Sequence, residues 1–294
     1  MLVILAYFLL YFWNASLMKP ADILNGRQAS ILILGDSNAE CAFNDEIIEN
    51  ALNLCESSDA YFYSFLKLQQ AVDKHPDIDT VLLSFGPHNI HENGWLMNDS
   101  HMYTRFKKYY AFMSSEDHQV LLKGNPKAYV AAHGPIAENT VFNTLQRMRG
   151  KDPISTYGGH KSIDRNILEE VREKLEKGEE LPFFRLPDNH QLSRYETRYL
   201  FKIIRYCQEK NIALYLINPP KRSELLDHEI YGLEMFDSYR QKMLGDIPYI
   251  DCSRMELPES AYGDFVHLNK EGAELFSTTL NELGIQGMHR AYGK

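Results

Sequence analysis

Short runs of consecutive apolar residues alternate along this chain with longer stretches whose apolar positions recur every three to four residues. The runs Ile31–Leu34, Ala51–Leu54, Val81–Phe85, Ile212–Ile217 and Tyr249–Asp251 have the length and the β-branched content of buried strands. Between them the spacing predicts helices. One begins near Asn44, another covers Tyr61–Val72, and a strongly charged one runs from Ser162 to Lys177 and stops at Gly178. Ser193 and Glu196 form the pattern of a capping box ahead of a helix with the stripe Tyr199, Leu200, Ile203, Ile204, Cys207, which Asn211 ends. The final helix takes Asn269 as its N-cap and is predicted to end at Gly284.

Strands that alternate with helices imply a parallel sheet covered on both faces, and such sheets bind ligands beyond the carboxyl ends of their strands. The α/β pattern extends as one domain over 29–294. It is interrupted after the third strand by a largely helical insertion at about 91–191, which is expected to act as a lid or substrate platform. That insertion holds an aromatic and basic patch from Tyr103 to Tyr110 and a turn-rich piece over 155–160. A plain helix with amphipathic tyrosines explains the patch more simply than a face for a sugar or an anionic polymer.

The first eighteen residues break the pattern, because they carry no charge and no polar stripe. Their apolar core, Leu2 to Trp13, has the length of a signal-peptide segment, and extension to Met18 makes a short membrane helix. The segment 1–18 is therefore expected to be a signal peptide or membrane anchor, which places the protein outside the cytoplasm: exported, periplasmic, anchored or at the cell surface. A buried terminal helix is the alternative. No basic residue precedes the apolar run, so the native start is expected upstream. Pro20 to Gln28 then reads as a polar connector.

Composition adds little to this picture. The 294 residues are 44% hydrophobic and 24% charged, as folded globular chains are, and the net charge of −9 disfavours a nucleic-acid partner. The four cysteines, Cys41, Cys55, Cys207 and Cys252, show no metal-ligand spacing and read as buried free thiols. The histidines show no paired metal spacing either, so neither a metal nor a cofactor is expected.

Two short segments carry the chemistry. The first strand runs into Gly35-Asp36-Ser37, which puts a serine hydroxyl at the rim of the sheet. Near the other end, Asp264 and His267 stand three apart just before the last helix. Serine, histidine and aspartate are the parts of an activated hydroxyl nucleophile: the imidazole takes the proton and the carboxylate orients it. Asp36 is expected to brace the turn. The prolines of Asn218-Pro219-Pro220 terminate the fourth strand, which suffices to explain them, and contact of Lys221 or Arg222 with an acidic substrate is the secondary reading.

At these residues the chain resembles the SGNH (GDSL-type) hydrolases, whose nucleophile block matches Gly35, Asp36 and Ser37 and whose last block matches Asp264 and His267. The resemblance implies a flavodoxin-like three-layer sandwich with strand order 2-1-3-4-5 and a serine esterase. The substrate it suggests is an O-acetyl or other acyl ester on a carbohydrate or cell-envelope glycan. O-acyl transfer to an envelope polysaccharide, or a non-catalytic glycan-binding or assembly role, are the alternatives. Two blocks depart from the family. Where it has Gly-x-Asn-Asp, this chain has Gly86-Pro87-His88-Asn89, so His88 or Asn89 would supply the side-chain oxyanion donor, or His88 would be structural. The loop Asn53–Asp59 lacks the family's glycine, so a backbone N–H of Ser57 or Ser58 would stand in for it.

Overall fold

The computed structural model describes residues 2–18, 26–91, 95–151, 157–163, 168–177, 191–223 and 230–294. Within these, two compact units form. The smaller comprises 1–28, 66–75 and 94–157, and the larger comprises 29–65, 76–93 and 158–294. The larger part of the predicted insertion thus groups with the N-terminal segment in a unit of its own. Part of the predicted connector (20–25) and several pieces of the insertion (92–94, 152–156, 164–167 and 178–190) lie outside the described residues.

The larger unit is built on five parallel strands: β1 (Ile31–Leu34), β2 (Ala51–Asn53), β3 (Thr80–Ser84), β4 (Ala213–Asn218) and β5 (Tyr249–Asp251). They lie in the order β2-β1-β3-β4-β5, so the fold is the α/β parallel sheet expected of the sequence. Ile33, Leu82, Ile217 and Ile250 point to one face. There they pack with Phe43 and with Phe276 and Leu280 of the last helix. The alternate residues Leu32, Leu34, Val81, Leu83 and Leu216 are equally buried and face the other way. On this second side Phe236 meets Phe85 and Tyr249 at ring-centroid distances of 4.9 and 6.1 Å.

Several helix boundaries depart from the sequence reading. The helix expected near Asn44 instead starts at Ser37 (α2, Ser37–Ala42), because Asp36 Oδ1 accepts the Asn38 N–H and caps it, and residues 45–50 form turns. The helix α3 covers Tyr61–Lys74, and α4 is a single turn at Pro87–Ile90. Leu168–Glu176 is the described core of the charged helix (α9). Helix α10 (Arg194–Lys210) begins at Ser193 and ends on Asn211 in the left-handed conformation, as its sequence predicts. Only half of its capping box forms: the Glu196 carboxylate accepts the Tyr61 N–H at 2.8 Å, while the Ser193 N–H goes to Ile90 O. One glutamate thereby serves the first turns of α3 and α10. Ile230–Leu244 forms α11, and the last helix α12 spans Lys270–Tyr292, with Gly284 breaking it at φ 64° rather than ending it.

The smaller unit is helical. Helix α1 (Leu2–Met18) packs on α8 (Pro135–Met148), and α5 (Asp99–Tyr109), α6 (Ser115–Gly124) and α7 (Pro126–Ala131) complete it. Among the described residues no helix is long and apolar enough to cross a membrane.

Candidate active site

Strand β1 ends against Gly35, whose φ of 150° and whose closeness to Ser84 of the neighbouring β3 both require glycine: a Cβ here would collide with the Ser84 side chain. The chain then turns sharply, and Ser37 becomes the first residue of α2, half-buried at the carboxyl edge of the sheet.

His267 arrives from the loop between β5 and α12. That loop is closed by an isolated bridge between Tyr262 and Leu268 and by the Gly263 N–H donating to His267 O at 3.0 Å. Asp264 organises it from within. Its Oδ1 accepts the N–H groups of Val266 and His267, both at 2.8 Å, and its Oδ2 lies 2.8 Å from His267 Nδ1. The other ring nitrogen, Nε2, stands 2.8 Å from Ser37 Oγ. The three side chains form a continuous line of contacts, Asp264–His267–Ser37. The proton assignment that satisfies it puts a hydrogen on Nδ1, facing the carboxylate, and a lone pair on Nε2, facing the hydroxyl. Burial raises the Asp264 carboxyl, but the His267 hydrogen bond and charge and the two loop N–H groups outweigh it and hold the group below its usual range. It therefore stays ionised beside the imidazole.

A second Asp–His pair stands next to the first. Asp36 is buried, and its Oδ2 lies 2.7 Å from His88 Nε2 and accepts from Asn89 Nδ2 at 2.9 Å. With Nε2–H donating to the carboxylate, the Asn38 amide 2.8 Å from the same nitrogen fits only with its oxygen turned toward it. On the far side of the ring, Lys221 Nζ approaches His88 Nδ1 at 3.4 Å. Burial raises the Asp36 carboxyl, but His88, by charge and hydrogen bond, then Lys221 and the Asn38 N–H, bring it down to about 2.

This second pair changes the reading of the oxyanion residues. The Asn89 amide is spent on protein partners, with Nδ2 on Asp36 and Oδ1 accepting the Gly86 N–H at 2.7 Å. His88 likewise has a protein group at each ring nitrogen. Both side chains thus hold protein partners on the Gly35-Asp36-Ser37 turn, which is the structural alternative the sequence left open for His88. Lys221 and Arg222 also meet protein groups. Lys221 is buried against His88, and the Arg222 guanidinium lies over the Tyr262 ring and 3.8 Å from Glu259. Their backbones matter as well, because the Lys221 N–H donates to Ser253 O and the Arg222 N–H to Phe265 O.

The loop after β2 comes alongside the nucleophile turn, with the Glu56 N–H donating to Gly35 O at 3.1 Å. Ser58 adopts the left-handed φ of 57° there without being glycine, at a cost of roughly 1–2 kcal/mol. Ser57 Oγ donates to the Glu40 carboxylate, one turn beyond Ser37. Residues 158–163 also belong to this surroundings: the Gly159 N–H donates to Cys55 O and the Lys161 N–H to Glu40 O. Gly158 passes so close to the carbonyls of Leu54 and Cys55 that no Cβ fits. The sequence reading missed Glu40, Asn38 and this glycine. Gly158 lies far along the chain from the Leu54 and Cys55 carbonyls it approaches, and no local pattern marks it.

The four cysteines form no disulfide and are buried, and burial pushes the Cys41 thiol up to about 12. Among the described residues no cluster of histidine, cysteine and carboxylate could hold a metal ion.

A family model that carries no descriptive name matches residues 184–287. No curated protein matches the chain. Among solved structures, the chain is similar to a protein of Streptococcus pneumonia provisionally described as a platelet activating factor. The identity is 10% and the TM-score 0.40, over 96% of this chain and 97% of that one. It is also similar to a GDSL-like lipase of Bacteroides thetaiotaomicron, with 10% identity and a TM-score of 0.38, over 97% of this chain and 98% of the lipase. At these scores the likeness carries no functional argument, and the reading of the site rests on its own geometry.

Proposed function

We propose that the protein is a serine esterase of the SGNH type, with Ser37 as nucleophile, His267 as general base and acid, and Asp264 as the group that orients the imidazole. The observation that carries this reading is the pair of 2.8 Å contacts, Ser37 Oγ to His267 Nε2 and His267 Nδ1 to Asp264 Oδ2. Ser37 Oγ attacks the acyl carbonyl carbon as its proton passes to Nε2, giving a tetrahedral oxyanion. The imidazolium returns that proton to the departing alkoxide, which leaves as the alcohol. Water, deprotonated in turn by His267, then attacks the acyl-serine and releases the carboxylic acid and free Ser37.

The oxyanion is assigned to the backbone N–H of Ser37 and that of Ser57 or Ser58. Of the other first-turn donors in α2, the Asn38 N–H is held by Asp36 Oδ1 and the Glu40 N–H by Asp36 O. The substrate is taken to be an acyl ester, in particular an O-acetyl group on a carbohydrate or envelope glycan. A fluorophosphonate probe tests the chemistry: stoichiometric labelling at Ser37, absent in Ser37→Ala, is the expected result. Failure of the wild-type protein to label overturns the reading. Acetate release from O-acetylated polysaccharides, compared with release from simple aryl esters, tests the substrate class.

A further inference from the structure

We propose that α1 and α8 together form a docking surface for a phospholipid membrane with anionic headgroups. The two helices run in parallel: Thr140 Oγ1 lies 3.3 Å from Leu10 O, Asn143 Nδ2 donates to Asn14 Oδ1 and Arg147 Nη2 to Leu17 O. One side of α1 is committed to these contacts, and Asn14, Ala15 and Met18 are buried. The opposite side is apolar and open, with Leu5, Phe8, Leu9 and Phe12 all exposed, Phe12 at 66%.

Helix α8 continues that surface. Val141, Leu145 and Met148 recur at i, i+4 and i+7 and are exposed, Met148 at 78%. Exposed Glu138, one turn earlier, bounds the stripe. The two faces join where Trp13 Nε1 donates to Thr144 Oγ1 at 3.0 Å, so the indole N–H is satisfied by protein while most of the ring stays exposed. An indole with its polar edge satisfied and its apolar face outward suits a membrane interface. A contiguous apolar patch of this kind on a soluble surface marks an interaction site.

Charge at its border selects the occupant. The C-terminal end of α8 carries Arg147, and exposed Arg149 and Lys151 follow it, three cations within five residues. Acyl chains meet the apolar faces, and phosphates meet these cations. A second copy of the chain would set like charges against one another at that border.

The test is sedimentation of the full chain with vesicles of phosphatidylcholine, with and without phosphatidylglycerol. Wild-type protein is expected to bind and to prefer the anionic vesicles. Leu145→Glu, and independently Met148→Glu, is expected to weaken binding about tenfold or more with α1 untouched. Arg149→Glu with Lys151→Glu is expected to remove the preference for phosphatidylglycerol. Circular dichroism and probe labelling of Ser37 show that each variant is folded and keep this question apart from that of esterase activity. Binding that is unchanged by both α8 substitutions overturns the proposal, because α1 then acts alone. So does a failure of the wild-type protein to bind, or a dimer in light scattering that the same substitutions dissolve.

Discussion

Two aspartate–histidine pairs of almost the same length, 2.8 and 2.7 Å, stand at the carboxyl edge of one sheet, and they do different things. In the Asp264–His267 pair the second ring nitrogen faces a serine hydroxyl, a group with a proton to give. In the Asp36–His88 pair the second ring nitrogen faces the ammonium of Lys221, and the carboxylate is saturated by Asn89 and the Asn38 N–H. In the function proposed above, the carboxylate sets the orientation of each imidazole, and the third partner separates a ring that would move a proton from one that would hold a turn.

The sharpest way to break this comparison is to remove each histidine. His267→Ala, like Ser37→Ala, is expected to lower kcat by on the order of 10⁴-fold or more with the unfolding midpoint almost unchanged. Steady-state hydrolysis of an aryl acetate, read beside urea unfolding, checks both halves. Asp264→Asn comes next. The wrong tautomer is then favoured, and kcat is expected to fall by up to about 10⁴-fold while binding of a substrate analogue persists.

His88→Ala should invert the pattern. It leaves the buried Asp36 carboxylate short of a partner, so a stability loss of about 1–3 kcal/mol is expected, with a fall in kcat far smaller than that of His267→Ala. An inert unfolding curve together with a crippled kcat would move His88 into the chemistry. The smallest effect is in acid. The Asp36 carboxyl lies at about 2 when folded against 3.8 otherwise, a depressed value. It therefore contributes about 2 kcal/mol that is present above pH ~4 and lost as pH falls toward 2. Asp36→Asn is expected to flatten that limb of the stability–pH curve measured by urea unfolding.

The strands, the Gly35-Asp36-Ser37 turn and the Asp264–His267 loop were legible because each is written in adjacent residues. A buried run, a glycine that fits one backbone conformation, and a three-residue spacing are all local signals. The sequence left His88 open between oxyanion donor and structural group, since its partners depend on β3 lying between β1 and β4, which brings Lys221 and Asp36 to opposite sides of one ring. Glu196 misled for a related reason. Its spacing from Ser193 forms a capping box on paper, but a neighbouring helix offered the Tyr61 N–H instead. The apolar opening segment was legible as an oddity, whereas its pairing with α8 through Asn14 and Asn143 rests on a contact across 129 positions.

The backbone of 221–222 gives the two pairs a shared mechanical fate. Lys221 reaches His88 with its side chain, and the next residue holds Phe265, two positions before His267, through its amide. The loop that reaches His88 is thus stitched to the loop that carries His267. In native-state hydrogen exchange the amides of Lys221, Arg222 and Gly263 are expected to open together, as a single hinge plate carrying both histidines.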